Sequence, residues 1–401
     1  MRAGVGFSDN PDTGTAGIEA GRAALAEAGG KGPCDLALLF STARHDAAIL
    51  REAVLSVIGN SALVVGGGAV GAMTNRRYGY GGDQVGLAVF RFEGAGCDIV
   101  SEGGLDSGEE ETGRRLGSSL RRNDFGNESR SLLFYDAIRP AGGGRRVNFG
   151  TPLLRGIEAG LGFLPRLSGA ALMGDYVHSP YPQWTGRGLA GQRAIILSFT
   201  GGLRLDSVVM HGCYPGTDYF TVTKAEGQAI FEINGRPAVK FVQDILGPPV
   251  PVESWPLFLL FGVGGGGRRG SIEEDDIANH MCLSVESESG AIVMLGSDMA
   301  VGDRFQIMYR SLDLNYITTR VDGAFTSLGG RKPAFAFYID CAGRAARYAE
   351  LDAEDAVFVQ KAVAGRAPLL GIYSGGEISP IRGRTTAFDW TGVFCLLSVP
   401  A

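Results

Sequence analysis

Along the first half of the chain, short unbroken apolar runs alternate with longer stretches whose apolar residues recur every three or four positions. Ala16 to Ala28 and Asp46 to Ile58 carry the helical spacing, whereas Asp35 to Phe40 and Ser61 to Val65 are continuous runs of strand length. That alternation predicts a βαβ rhythm. Gln84 to Phe92 and Cys97 to Ser101 read as neighbouring strands joined by a Glu93-Gly94-Ala95-Gly96 turn. A charged helix from about Ser107 to Arg121 comes next, and then a strand from Ser131 to Ala137. Thr151 to Gly160 reads as a helix with Pro152 in its first turn, and Ala194 to Phe199 as a strand. Between these two lies Asp175-Tyr176-Val177-His178-Ser179-Pro180-Tyr181-Pro182-Gln183-Trp184, a long loop rich in rings and proline, either a binding loop or a packed Ω-loop.

The texture changes near Gly201-Gly202, where strand-like hairpins begin. Arg236 to Leu246 reads as a helix opened by Pro237. Alternating runs occur at Trp255 to Val263, Cys282 to Glu286, Ala291 to Leu295 and Arg304 to Met308, then a helix from about Asp352 to Ala364 between buried strands. The expected fold is therefore α/β, with two domains, 1–202 and 203–401, each a mixed β-sheet with covering helices, the second richer in sheet. A length of 401 residues favours such a split, because single cores stop growing well before that size.

Composition narrows the function classes. Hydrophobic residues at 45% and charged residues at 20% are those of an ordinary globular protein. A net charge of -6 with no Lys/Arg block argues against nucleic acid and anionic membranes as partners. No signal-peptide pattern opens the chain and no later stretch is long and apolar enough to span a bilayer, so a cytoplasmic location is expected. The six cysteines lie far apart without C-x-x-C spacing and read as reduced thiols, with no structural zinc.

Several motifs suggest chemistry and fail in context. Gly66-Gly67-Gly68-Ala69-Val70-Gly71 fits G-x-G-x-x-G, but the next residues, Ala72 to Gly82, make no amphipathic crossover helix. Gly262 to Gly267 lacks the P-loop lysine, and the Glu273-Glu274-Asp275-Asp276 run behind it reads as solvated acids. The four histidines form no metal-binding pair; His211, in His211-Gly212-Cys213-Tyr214-Pro215, is the one position suited to an axial haem ligand. There is no nucleophile elbow. Cys341, at a strand end before Arg344, is the candidate nucleophile if the protein is an enzyme, and otherwise a buried packing residue.

Three C-terminal segments occur in an informative order. They are Gly212-Cys213-Tyr214-Pro215-Gly216 with Val222 to Gly227, then Phe231 to Ala238, and finally Asp340-Cys341-Ala342-Gly343-Arg344 with Gly371-Ile372-Tyr373-Ser374-Gly375-Gly376-Glu377-Ile378-Ser379-Pro380. Together they resemble the FIST C domain. Cys34 to Ser41, Leu63 to Gly71, Leu153 to Gly160 and Leu167 to Asp175 are similar, more loosely, to the FIST N domain. The resemblance implies a sensory module that binds a small molecule, an amino acid or related metabolite, and signals through a partner protein, without catalysis. Some bacterial members resemble haem-dependent nitric oxide sensors that regulate a histidine kinase, which keeps haem as the alternative cofactor to none.

A site between the halves is also suggested physically. Strand-to-glycine turns recur at Val65 to Gly68, Leu167 to Gly169 and Tyr373 to Glu377, where bare backbone N–H groups would meet a carboxylate. The expected ligand residues are Gly67, Gly68, Arg344, Tyr373, Ser374, Gly375 and Glu377, a set suited to a small zwitterion. The competing reading is that the glycines only allow tight turns.

Overall fold

The computed structural model describes residues 1–30, 32–122, 125–126, 130–140, 147–247, 250–265, 270–296, 299–349 and 351–401. The expected glycine-rich loop Gly262 to Gly267 lies partly outside these residues.

The chain is mixed α/β and is built from three units of the same design, each running β-α-β-α-β and then, after a hairpin, a fourth strand. Repeat I spans residues 2–91, repeat II residues 96–200 and repeat III residues 204–399. In each, the second and third strands pair in parallel: Leu36–Ser41 with Leu63–Gly68, Arg130–Asp136 with Arg166–Leu172, and Lys332–Cys341 with Leu369–Ser374. The last strand of each unit inserts antiparallel between its first and second strands. A helix pair accompanies every unit, Thr13–Glu27 with Ala47–Ile58, Glu109–Arg122 with Gly150–Leu161, and Asn315–Thr326 with Asp355–Val363.

The three sheets are locked by hairpins handed round in a cycle. The hairpin of repeat I, Gly71–Thr74 with Tyr78–Tyr80, extends the sheet of repeat III at Leu369–Ser374. That of repeat II, Gln183–Gly186 with Leu189–Ala190, extends repeat I at Leu63–Gly68. That of repeat III, Glu377–Ile381 with Arg384–Phe388, extends repeat II at Arg166–Leu172. Where the units meet, Phe40, Phe134 and Phe337, one from each second strand, touch with ring centroids 5.4, 5.6 and 6.0 Å apart. Apolar burial at this junction is what closes the ring of units. Residue 203 falls between repeats II and III, and the exchanged hairpins tie the chain together across it.

Glycine serves close approach rather than turning at two matched places. A Cβ on Gly66 would lie 1.9 Å from the Leu39 carbonyl oxygen, and one on Gly169 1.7 Å from that of Leu133. The run Gly66–Gly68 is therefore strand, paired in register with Leu39–Ser41, and the turn consists of Ala69 and Val70.

Repeat III carries an insertion between its first and second strands. Within it, Leu260–Gly264 pairs with both Ile277–Glu286 and Arg304–Arg310, and this closes six antiparallel strands into a small barrel. The barrel has its own core of Trp255, Phe261, Phe305 and Ile307 with Phe241 of the helix Ala238–Leu246. The expected strand from Trp255 begins only at Leu260, because Val252–Leu257 is a short 3₁₀ turn that contains Pro256, which has no N–H for a ladder. Among the described residues, no helix is long and apolar enough to cross a membrane.

Candidate functional site

A cavity of about 230 Å³ opens where repeat II meets repeat III, with the barrel as its third wall. It lies at the carboxyl ends of four parallel strands, where successive loops diverge and leave space. Repeat II contributes Tyr135 and Ala137, Ala171 and Met173, and the Asn148-Phe149 entry to its second helix. Repeat III contributes Cys341 to Gly343, Ser374 to Glu377 and Phe388 to Trp390, while Leu257, Met281 and Leu283 come from the barrel. Tyr176 and His178 bring in the ring-rich loop, and Tyr348 completes the rim. The volume exceeds the ~150 Å³ of an apolar cavity that holds benzene, so a one-ring molecule fits.

The wall is aromatic and apolar, and its polar groups are few and mostly buried. Glu377 is nearly inaccessible and receives the Thr391 N–H at 3.2 Å. The Ser374 hydroxyl lies 2.7 Å from Glu377 Oε1 and 3.1 Å from the Asp340 carbonyl oxygen, but it has one proton to give. Burial pushes the Glu377 carboxyl well above the ordinary range, opposed by the Ser374 hydrogen bond and reinforced by the Asp389 charge. Asp389 accepts the Met281 N–H at 3.1 Å and so joins the barrel to repeat III.

Among the described residues, two buried atoms of the wall have no partner: the Asn148 side-chain oxygen and the Trp390 indole N–H. Asn148 uses its amide nitrogen on the Asp136 carbonyl and on Gln192 Oε1, at 2.8 and 3.1 Å. An unsatisfied acceptor in such a place costs about 1–3 kcal/mol, which a ligand would recover. His178 and Trp390 also hold left-handed backbone, with φ of 62° and 54°. For residues with a β-carbon that conformation costs energy and clusters at binding sites.

Of the residues singled out from sequence, the cavity brings together Ser374, Gly375, Glu377 and Cys341. Gly67 and Gly68 lie at the corresponding seam between repeats I and II, which is plugged: Tyr181 bonds Ser41 at 3.0 Å and stacks edge-on against Trp184. Tyr373 is buried at the third seam, edge-on to Tyr80 at 5.1 Å. The Gly375 N–H is not bare, since it donates to the Ala171 carbonyl at 2.9 Å.

Arg344 turns away from the cavity and is wholly buried. Its guanidinium meets Asp340 at 3.1 Å, Asp355 at 2.5 Å, the Tyr316 hydroxyl at 2.8 Å and the His211 and Trp390 carbonyls at 2.7 and 3.2 Å. Arg310 of the barrel bonds the same Asp355 at 2.8 and 3.0 Å. Arg344 thus holds the Trp390 backbone from behind the cavity wall.

Cys341 does line the cavity, yet burial and the Glu377 charge push its thiol well up, and Arg344 is engaged elsewhere. Among the described residues, no cation or base is placed to activate it as a nucleophile.

His211 is sealed in the interior, its Nδ1 accepting the Cys213 N–H at 2.9 Å and its backbone N–H bonding Glu274 at 2.5 Å. Its Nε2 has no partner among the described residues, but the ring is wholly enclosed by protein, so the surroundings of His211 do not fit a haem. Glu274, expected to be solvated, is a buried clamp on the His211-Gly212 backbone, while Asp275 and Asp276 pair with Arg320 and Arg382. Among the described residues, no group of three His, Cys, Asp or Glu is placed to hold a metal.

Asn148, Asp389 and Trp390 went unread in the sequence. The usable signal was Asp389-Trp390-Thr391, a lone tryptophan between polar residues at a strand end.

Profiles of known families match the chain in two adjoining stretches, the FIST N domain over residues 35–236 and the FIST C domain over residues 238–380. A protein of Mycobacterium bovis is 28% identical over 99% of this chain and 98% of its own length. One of Mycobacterium tuberculosis is 27% identical over 99% of both. Each is named an uncharacterized protein.

Proposed function

The chain belongs to the FIST family, whose domains are associated with signal-transduction sensing, and from that premise we propose that it is a small-ligand sensor with its ligand in the cavity between repeats II and III. The observation that carries this reading is the unpartnered Asn148 oxygen and Trp390 indole N–H in an otherwise apolar wall. Such a wall suits a small molecule with an apolar body and a few fixed polar contacts.

The output is a change in how the barrel sits on the repeats. The barrel supplies Leu257, Met281 and Leu283 to the cavity and meets the repeats through Asp389 and the Arg310–Asp355–Arg344 chain. A ligand bridging the walls favours the closed arrangement by its differential contacts, and a partner protein such as a histidine kinase reads the altered surface.

A thermal-shift screen of amino acids and small metabolites tests the reading. A true ligand raises the melting temperature in step with RT ln(1 + [L]/Kd). Leu283→Trp, which fills the cavity from its half-buried barrel wall, abolishes the effect while leaving the fold intact. A ligand whose stabilisation survives Leu283→Trp binds elsewhere and removes the cavity from the argument.

A further inference from the structure

The two unpartnered atoms of the cavity wall are opposite in kind: the Asn148 oxygen only accepts a hydrogen bond and the Trp390 indole N–H only donates one. Both residues are 5% exposed or less. Asn148 is held so that its oxygen is the atom left over. Its backbone N–H donates to the Ala137 carbonyl at 2.7 Å, and its side-chain nitrogen to the Asp136 carbonyl and Gln192 Oε1. Gln192 Nε2 in turn donates to the Ile138 carbonyl at 2.7 Å, which leaves its oxygen for Asn148. Turning the Asn148 amide over would set its oxygen against two acceptors, so this network fixes which atom has no partner. Gln192 adopts left-handed backbone here, with φ of 54°, as Trp390 does, and the Trp390 carbonyl is held by Arg344. Strained backbone that orients two polar atoms without a partner among the described residues points to a partner from outside.

Most single polar groups answer one of these atoms and not the other. A carboxylate has no proton for the Asn148 oxygen, an ammonium has no lone pair for the Trp390 indole, and a ketone only accepts. A hydroxyl does both from one atom, whereas Asn148 stands on repeat II and Trp390 on repeat III. An amide offers N–H and C=O on separate atoms, and it does so uncharged, so no ion has to leave water. Conjugated to a ring it is flat, which suits a wall that includes Tyr176, Tyr348 and Phe388.

We infer that the cavity selects a neutral, planar amide of about one ring, its N–H on the Asn148 oxygen and its carbonyl on the Trp390 indole N–H, with Gln192 positioning Asn148. This rests on the sensor reading and names the chemical class of its ligand.

Isothermal titration of the full chain with benzamide, acetophenone, benzoate and phenylglycine tests this, because the four share a ring and differ in the polar group. Benzamide binds about 5- to 100-fold more tightly than acetophenone, which has nearly the same shape but leaves the buried Asn148 oxygen unpaired. Asn148→Ala abolishes that preference while acetophenone still binds. Gln192→Met lowers the same ratio, a change that a merely structural role would not produce. Trp390→Phe weakens benzamide and acetophenone by a like factor, since both carry the carbonyl. Equal binding of benzamide and acetophenone by the native chain overturns the amide class. Tighter binding of benzoate or phenylglycine than of benzamide, lost in Leu283→Trp, also overturns it and keeps the ligand cavity. Absence of binding by all four overturns the amide class as well, and the sensor reading is then decided by the wider metabolite screen alone.

Discussion

Replacing Arg344 by methionine separates a ligand-contacting arginine from a structural one. The substitution keeps much of the side-chain volume and removes five hydrogen bonds that run to two carboxylates, a tyrosine and two buried carbonyls. Asp355 retains Arg310, whereas Asp340 loses its cationic partner, and its Oδ2 is already without a hydrogen bond. Breaking a buried pair from one side costs about 3–5 kcal/mol, chiefly because the remaining charge stays buried. Urea unfolding followed by tryptophan fluorescence measures the loss as a lower midpoint at unchanged slope. Asp340→Asn in the same chain removes the stranded charge, so the double variant recovers roughly 1–3 kcal/mol relative to the sum of the singles. A loss below about 1 kcal/mol for Arg344→Met, or strict additivity in the double variant, refutes the role assigned to this network.

Burial sets the remaining outcomes. Asp136, whose carboxyl accepts from Gln183 at 2.7 Å, is pushed up to about 7 from 3.8, mainly by burial. The folded protein therefore keeps a proton that the unfolded chain releases, and stability falls as pH rises between about 4 and 7, by up to roughly 4 kcal/mol. Asp136→Asn flattens that slope in melts at pH 4 to 8; an unchanged slope assigns it to other groups. Native Cys341 resists iodoacetamide at pH 7.5 and reacts only in urea, as mass spectrometry of the labelled peptides reads out; rapid single-site alkylation there would restore the cysteine-enzyme reading. Gly169→Ala drives a methyl group into the Leu133 carbonyl and costs about 3 kcal/mol or more in the same urea assay, with Gly66→Ala behaving alike at Leu39.

The periodicity of the sequence determined most of the elements. Helices at 16–28, 46–58, 107–121 and 151–160, and the strands between them, reappear within a few residues of where the pattern places them, because the pattern records which face of each element is buried. It does not record against what. The hairpin Glu377–Phe388 reads the same whether it extends its own sheet or that of repeat II, and only long-range pairing chose the latter. The exchange set the cavity's place: Ser374 to Glu377 leave repeat III just where they must cross to repeat II, so Glu377 meets the Asn148 wall there, while Gly67 and Gly68 face the seam between repeats I and II, which Tyr181 fills. Arg344 shows the same limit in one side chain. Its partner Asp340, four residues earlier, was legible, but Asp355, Tyr316 and the Trp390 carbonyl arrive from other elements, and charge written in a sequence says nothing of burial. Local order comes from the pattern of apolar residues, whereas the site comes from which strand ends the cyclic exchange brings together.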